Sequence, residues 1–101
     1  MSKTATKPFD AAEYLETEHD IQEFLRQAAE DGNTQHLVHC LGVAARAKGM
    51  TEVAAKAGVT RASLYKSFAE GANPKLDTIN KVLGVFGCKL SVTADNSQSH
   101  A

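Results

Sequence analysis

Apolar residues in this chain recur at three- and four-residue spacing, in short runs closed by Gly32, Gly49, Gly58 and Gly87. Such punctuation leaves room for a set of short amphipathic helices and for little else. Ile21, Phe24, Leu25 and Ala28 fall at i, i+3, i+4 and i+7 behind Thr17, which is suited to cap a helix with acids in its first turn. Asp31-Gly32-Asn33 ends that run, and Asn33 or Thr34 caps the next, whose apolar face is Leu37, Cys40, Leu41 and Ala44. Thr51 is read as opening a third helix that closes at Gly58, and Thr60 as opening a fourth through Ala69. Pro74, suited to a first helical position, is expected to start a fifth, with Leu76, Ile79, Val82, Leu83 and Phe86 as its stripe. A further short turn, capped by Asp10, is expected over Ala11–Leu15.

After Gly87 the period changes. Cys88, Leu90 and Val92 alternate with Lys89, Ser91 and Thr93, which predicts a strand over 88–93. No second strand is evident in the chain, so its main-chain groups need a partner: the same strand of a twin chain, or the edge of another protein's sheet. The alternative is an extended tail packed on the helices without a ladder. The expected class is therefore all-α, about five helices with a short C-terminal β-strand. Residues 1–8 read as a flexible arm, 9–93 as one domain and 94–101 as a flexible tail.

At 101 residues, 43% hydrophobic and 23% charged, the chain has the composition of one small globular domain. It contains no apolar run of membrane-spanning length, no secretory leader is expected since residues 1–8 hold no hydrophobic stretch, and Cys40 and Cys88 are too few for a disulfide scaffold. A cytoplasmic protein with reduced thiols is expected. The overall charge of −1 hides a division. Residues 1–35 hold three basic against eight acidic side chains, and residues 36–75 hold six basic against two acidic, a net −5 followed by a net +4. An acidic front and a basic middle suit two partners of opposite charge, although two solvated faces would give the same count.

The basic stretch coincides with the most specific pattern. Over Met50–Phe68 two short helices meet at Gly58, with Ala54 small where they approach and Val53, Ala57, Val59 and Leu64 as an apolar seam. Ala54, Gly58, Val59 and Leu64 together resemble the helix-turn-helix of the lambda-repressor/Cro class. That geometry lays the second helix in the major groove of double-stranded DNA, its N-terminal residues toward base edges. Arg61 suits a guanine edge, and Thr60 and Ser63 suit bases or phosphate. Ala62 suits a thymine methyl, while Tyr65, Lys66 and Lys75 suit the backbone. The helix start at Thr51 offers free N–H groups to a phosphate. One such domain covers a single half-site, so a homodimer on a two-half-site operator is expected. A plain helical hairpin is the alternative.

Over about residues 9–93 the chain resembles the addiction-module antidote proteins, small antitoxins encoded beside RelE/ParE-type toxins. The resemblance lies in Phe9-Asp10-Ala11-Ala12-Glu13-Tyr14-Leu15 and in Ala45-Arg46-Ala47-Lys48-Gly49-Met50-Thr51-Glu52-Val53-Ala54. It continues in Gly58-Val59-Thr60-Arg61-Ala62-Ser63-Leu64-Tyr65-Lys66, and in Gly71-Ala72-Asn73-Pro74-Lys75-Leu76-Asp77-Thr78 with Val82–Val92 after it. Ala72 is an insertion between a glycine and an asparagine that are usually adjacent, and Cys88 stands where an aliphatic residue is common. The resemblance implies binding and neutralisation of a toxin acting on translation or RNA, and repression of the chain's own operon. The acidic residues 1–35 are then the expected toxin-facing part, with the C-terminal strand as the rival location, and removal of residues 1–32 is expected to weaken toxin binding while sparing DNA. A stand-alone phage-type repressor without a toxin is the alternative function.

Catalysis finds little support. There is no phosphate-binding Gly loop, no nucleophile motif and no carboxylate pair in a supporting context. His36, His39 and Cys40 are close enough on one helix to meet, but no further ligand cluster accompanies them, so no metal or cofactor is expected.

Overall fold

The computed structural model describes residues 14–94, and among them all regular structure is helical. The expected arm over 1–8, most of the Asp10-capped turn and the tail beyond Ala94 lie outside the described residues. Five helices follow one another: α1 Glu18–Glu30, α2 Thr34–Lys48, α3 Met50–Ala57, α4 Arg61–Ser67 and α5 Leu76–Val85.

Side chains cap three of the five helix starts. Thr17 Oγ1 accepts from the Asp20 N–H at 3.0 Å, and the Asp20 carboxylate accepts in return from the Thr17 N–H at 3.1 Å, a reciprocal cap on α1. Asn33, rather than Thr34, caps α2 by accepting from the His36 N–H at 3.0 Å. Thr60 caps α4 in the same way, accepting from the Ser63 N–H at 3.0 Å. Two starts differ from expectation. The third helix begins at Met50 behind Gly49, so Thr51 lies inside its first turn. The fifth begins at Leu76 behind Lys75, so Pro74 precedes the helix. A residue before a proline is pushed out of helical angles, but the proline itself also tolerates extended backbone, and here the loop continues through it.

α2 lies at the centre, packed against α1, α3 and α5, while α3 also packs on α4 and α5. Its buried residues are Cys40, Leu41, Gly42, Ala44 and Ala45. Small side chains here leave room for neighbouring side chains: a Cβ on Gly42 would sit 3.3 Å from the Phe68 Cβ. Phe86, Leu41, Leu64, Val53 and Val82 are the largest wholly buried side chains. α1 adds Ile21, Leu25 and Ala28 to the same core, and the Gln22 amide donates to the Phe86 carbonyl at 2.8 Å, tying α1 to the end of α5. Leu76, expected on the buried stripe of α5, is 68% exposed, because the helix turns its Ile79–Val82–Leu83 face inward and Leu76 falls at the open end. No polar side chain is buried among the described residues.

The expected strand over 88–93 is not formed. Cys88 still belongs to the body, its N–H bonded to the Leu83 carbonyl at 2.9 Å and its side chain packed against the core. From Lys89 onward the segment has no ladder partner among the described residues, and alternation of side chains alone cannot make a strand.

Candidate functional site

α3 and α4 form a tight pair. Gly58 between them takes left-handed angles (φ 76°, ψ 30°), and the Val59 N–H closes the end of α3 on the Ala54 carbonyl at 3.0 Å. Val53 and Leu64, both wholly buried, lock the two helices, with Ala57 buried and Val59 half-buried beside them. Leu64 is the one buried residue of α4. The helix is thus rooted on a single side, and Thr60, Arg61, Ala62, Ser63, Tyr65 and Lys66 all face solvent.

Two of these residues are already ordered by each other. The Arg61 guanidinium carbon lies 5.4 Å from the centre of the Tyr65 ring, and its Nη2 donates to the Tyr65 hydroxyl at 3.4 Å. Ser63, Lys66 and Lys75 share a cleft of about 450 Å³ with Asn73 and Thr78, so the loop after α4 carries Lys75 back to that helix. Thr51 is exposed but stands outside this cleft. Next to it, the Glu52 carboxylate lies 3.0 Å from Lys56 and 3.8 Å from Lys48. The Lys56 hydrogen bond and the two positive charges hold that carboxyl below its ordinary range. The first turn of α3 therefore already carries an anion, which weakens the expected attraction of a phosphate to Thr51.

Ion pairing sorts the cations of the described residues into two sets. Arg26 pairs with Glu23 and Glu30, Lys48 and Lys56 share Glu52, and Lys81 pairs with Asp77. Arg46, Arg61, Lys66, Lys75 and Lys89 have no carboxylate within 4.0 Å among the described residues. Of these five, Arg61 and Lys66 lie on α4, Lys75 flanks its cleft, and Arg46 lines a second cleft of about 670 Å³ beside Tyr65 and Phe68. Positive charge without an internal partner is thus gathered around α4. Arg46 and Thr78 line these clefts without having been singled out from the sequence, and Asn73 does so in the loop that carries the Ala72 insertion. Arg46 was legible only as one charge in the basic stretch, and the other two depend on how the loop after α4 folds back.

The thiols and histidines arrange no comparable site. Cys40 Sγ lies 3.7 Å from His36 Nε2, and His39 is exposed. Burial, with a smaller effect of Asp31, pushes the Cys40 thiol up, and burial with Glu18 does the same for Cys88. No three potential ligands converge on a metal position among the described residues. None of the described helices is long and apolar enough to cross a membrane.

The described residues form a small helical body whose α4 turns Arg61 and Lys66 to solvent. Residues 5–94 match a family described as probable addiction module antidote proteins, and the chain belongs to that family. A protein of Haemophilus influenzae, itself described as uncharacterized, is 35% identical over 86 residues, which span 85% of this chain and 89% of that protein. No solved structure matches. Membership carries an antitoxin role and, with it, a toxin as partner.

Proposed function

We propose that the chain is a sequence-specific DNA-binding antitoxin, acting as a homodimer that represses its own operon and neutralises a RelE/ParE-type toxin. α3 and α4 are read as a helix-turn-helix of the lambda-repressor type, with α4 entering the major groove. The observation that carries this reading is the set of unpaired cations around the exposed side of α4, when every other Lys or Arg of the described residues except Lys89 is matched by a carboxylate. Charge left unmatched at one surface is what a polyanionic partner neutralises.

In this reading Arg61 reads a base edge, Thr60, Ala62 and Ser63 reach bases or backbone, and Tyr65 positions Arg61. Lys66 and Lys75 clasp a phosphate from the two sides of their shared cleft, and Thr51 is the weakest member of the set. The net −5 of residues 1–35 faces the toxin, which the same reading takes to be basic.

The test is operator binding across a salt series. Arg61→Ala is expected to weaken binding by about 1–3 kcal/mol and to relax preference at one base pair. Lys66→Ala is expected to weaken all sequences alike and to reduce the salt slope by about one unit. Parent-like binding by both variants would overturn the placement of α4 in the groove.

A further inference from the structure

We infer that Lys89–Thr93 is the dimer seam: two chains pair these segments antiparallel about Ser91, forming a strand in the dimer that the single chain cannot form. The inference takes the dimer itself from the reading above and assigns its location. Three observations carry it. The last inward hydrogen bond of the main chain is that of Cys88, and from Lys89 to Ala94 no main-chain hydrogen bond is made among the described residues. Val92 is fully exposed and Leu90 is 40% exposed, both apolar and both at even positions of the alternation. Beside the segment runs a cleft of about 440 Å³ with Leu25, Leu37 and Leu83 in its walls.

The second copy is favoured as occupant by the register it permits. Opposed residues of an antiparallel pair point to the same side, so the even, apolar positions of both strands match only when the two opposed residue numbers sum to an even value. Pairing about Lys89 would set lysine against lysine. Pairing about Leu90 would draw in Cys88, whose N–H and side chain are already held by the body. Pairing about Val92 would leave Leu90 opposite Ala94, whereas pairing about Ser91 uses only the free residues and gives each large apolar side chain a large apolar partner: Leu90 opposes Val92 of the twin, Lys89 opposes Thr93, and no like charges meet. A lone two-stranded ribbon is only marginally stable and needs a helix behind it. The apolar walls of the adjacent cleft, supplied by α1, α2 and α5, are placed to provide that backing.

The experiment compares the full chain with the double variant Leu90→Lys, Val92→Lys, which puts lysine opposite lysine at both apolar pairs. Sedimentation over a concentration series should show a dimer for the parent and a dissociation constant raised roughly tenfold or more for the variant. The helical signal of the far-UV circular dichroism should match, since both side chains are exposed and lie outside the helices. Separately, oxidation of Ser91→Cys should give a 91–91 link, located by peptide mass, both alone and with the neighbouring toxin present. Equal dimerisation of the variant, a parent that stays monomeric, or a residue 91 that links only to toxin would each overturn the seam. Binding to a single half-site DNA fragment separates the two claims. If the variant binds it like the parent while still dimerising, the seam falls and the operator reading stands; if the parent dimerises through residue 91 but ignores operator DNA, the reverse holds.

Discussion

Leu64 and Gly58 fix α4 by different means, and their replacement should separate packing from backbone strain. Leu64 is wholly buried and is the one residue that α4 gives to the core. Leu64→Ala is expected to lower stability by about 2–5 kcal/mol, since the lost contacts leave a cavity where α4 meets the core. Gly58 has φ 76° and no atom within 4 Å of where a Cβ would stand. Gly58→Ala meets no steric obstacle and is expected to lose only the penalty of left-handed backbone, about 1–2 kcal/mol. Urea unfolding followed by far-UV circular dichroism measures both, the chain having no tryptophan to report. A larger loss at Gly58 than at Leu64 would mean that the turn, not the seam, holds the pair together. Arg61 and Tyr65 belong to the same scale. Their contact holds the guanidinium along α4, so less side-chain freedom would be lost in the operator contact proposed for Arg61.

Among the helices, α1 is the one whose stability should respond most directly to acid. Asp20 accepts from the Thr17 and Glu16 N–H groups at 3.1 and 3.2 Å, and these bonds, with the Thr17 hydroxyl, hold its carboxyl below its ordinary value of 3.8. A carboxyl lowered in the folded state stabilises the fold above its unfolded pKa, and that contribution is lost as the pH falls through the folded value. Helicity of the parent should therefore begin to fall below about pH 4. Asp20→Ala should start less stable at neutral pH and show a flatter acid limb, and Thr17→Ala should cost about 1 kcal/mol at neutral pH. An acid limb identical in parent and Asp20→Ala would show that the cap does not govern α1. Caps of this kind are also why so much of the fold was legible in the sequence. Thr17, Asn33 and Thr60 stand where their side chains close the first turn, and Ile21, Leu25, Cys40, Leu41, Val53 and Leu64 are buried as their spacing requires. Pro74 and the stretch 88–93 misled for a shared reason. A proline fixes one angle without deciding whether a helix follows at once, and alternation states which faces match without supplying the second strand. In the candidate site, the α4 residues were readable from local pattern, whereas the approach of Lys75 and Asn73 to Lys66 depends on a loop path that no local pattern encodes.

Over the whole molecule, the division of charge acquires a physical arrangement. Removing residues 1–32 would not cleanly isolate toxin binding, because α1 supplies Ile21, Leu25 and Ala28 to the common core and its loss would open the remaining helices. The acidic surface has to be altered without disturbing that face. Glu16 and Glu30 are exposed and Glu23 is half-buried, and the last two lie against Arg26 as surface ion pairs, which contribute little to stability. Changing all three to glutamine takes the net charge of residues 1–35 from −5 to −2 and leaves the buried stripe intact. If electrostatic steering brings the toxin to this end, the association rate at low salt should fall by roughly tenfold, with a smaller difference at physiological salt where the screening length is about 8 Å. Operator affinity should stay at the parent value, because none of the three glutamates contacts Arg46, Arg61, Lys66 or Lys75, the unpaired cations around α4. Stopped-flow association with toxin, paired with operator titration, measures the two arms. An unchanged association rate would move the toxin away from the acidic end and leave the C-terminal segment as its docking place, in direct competition with the dimer seam.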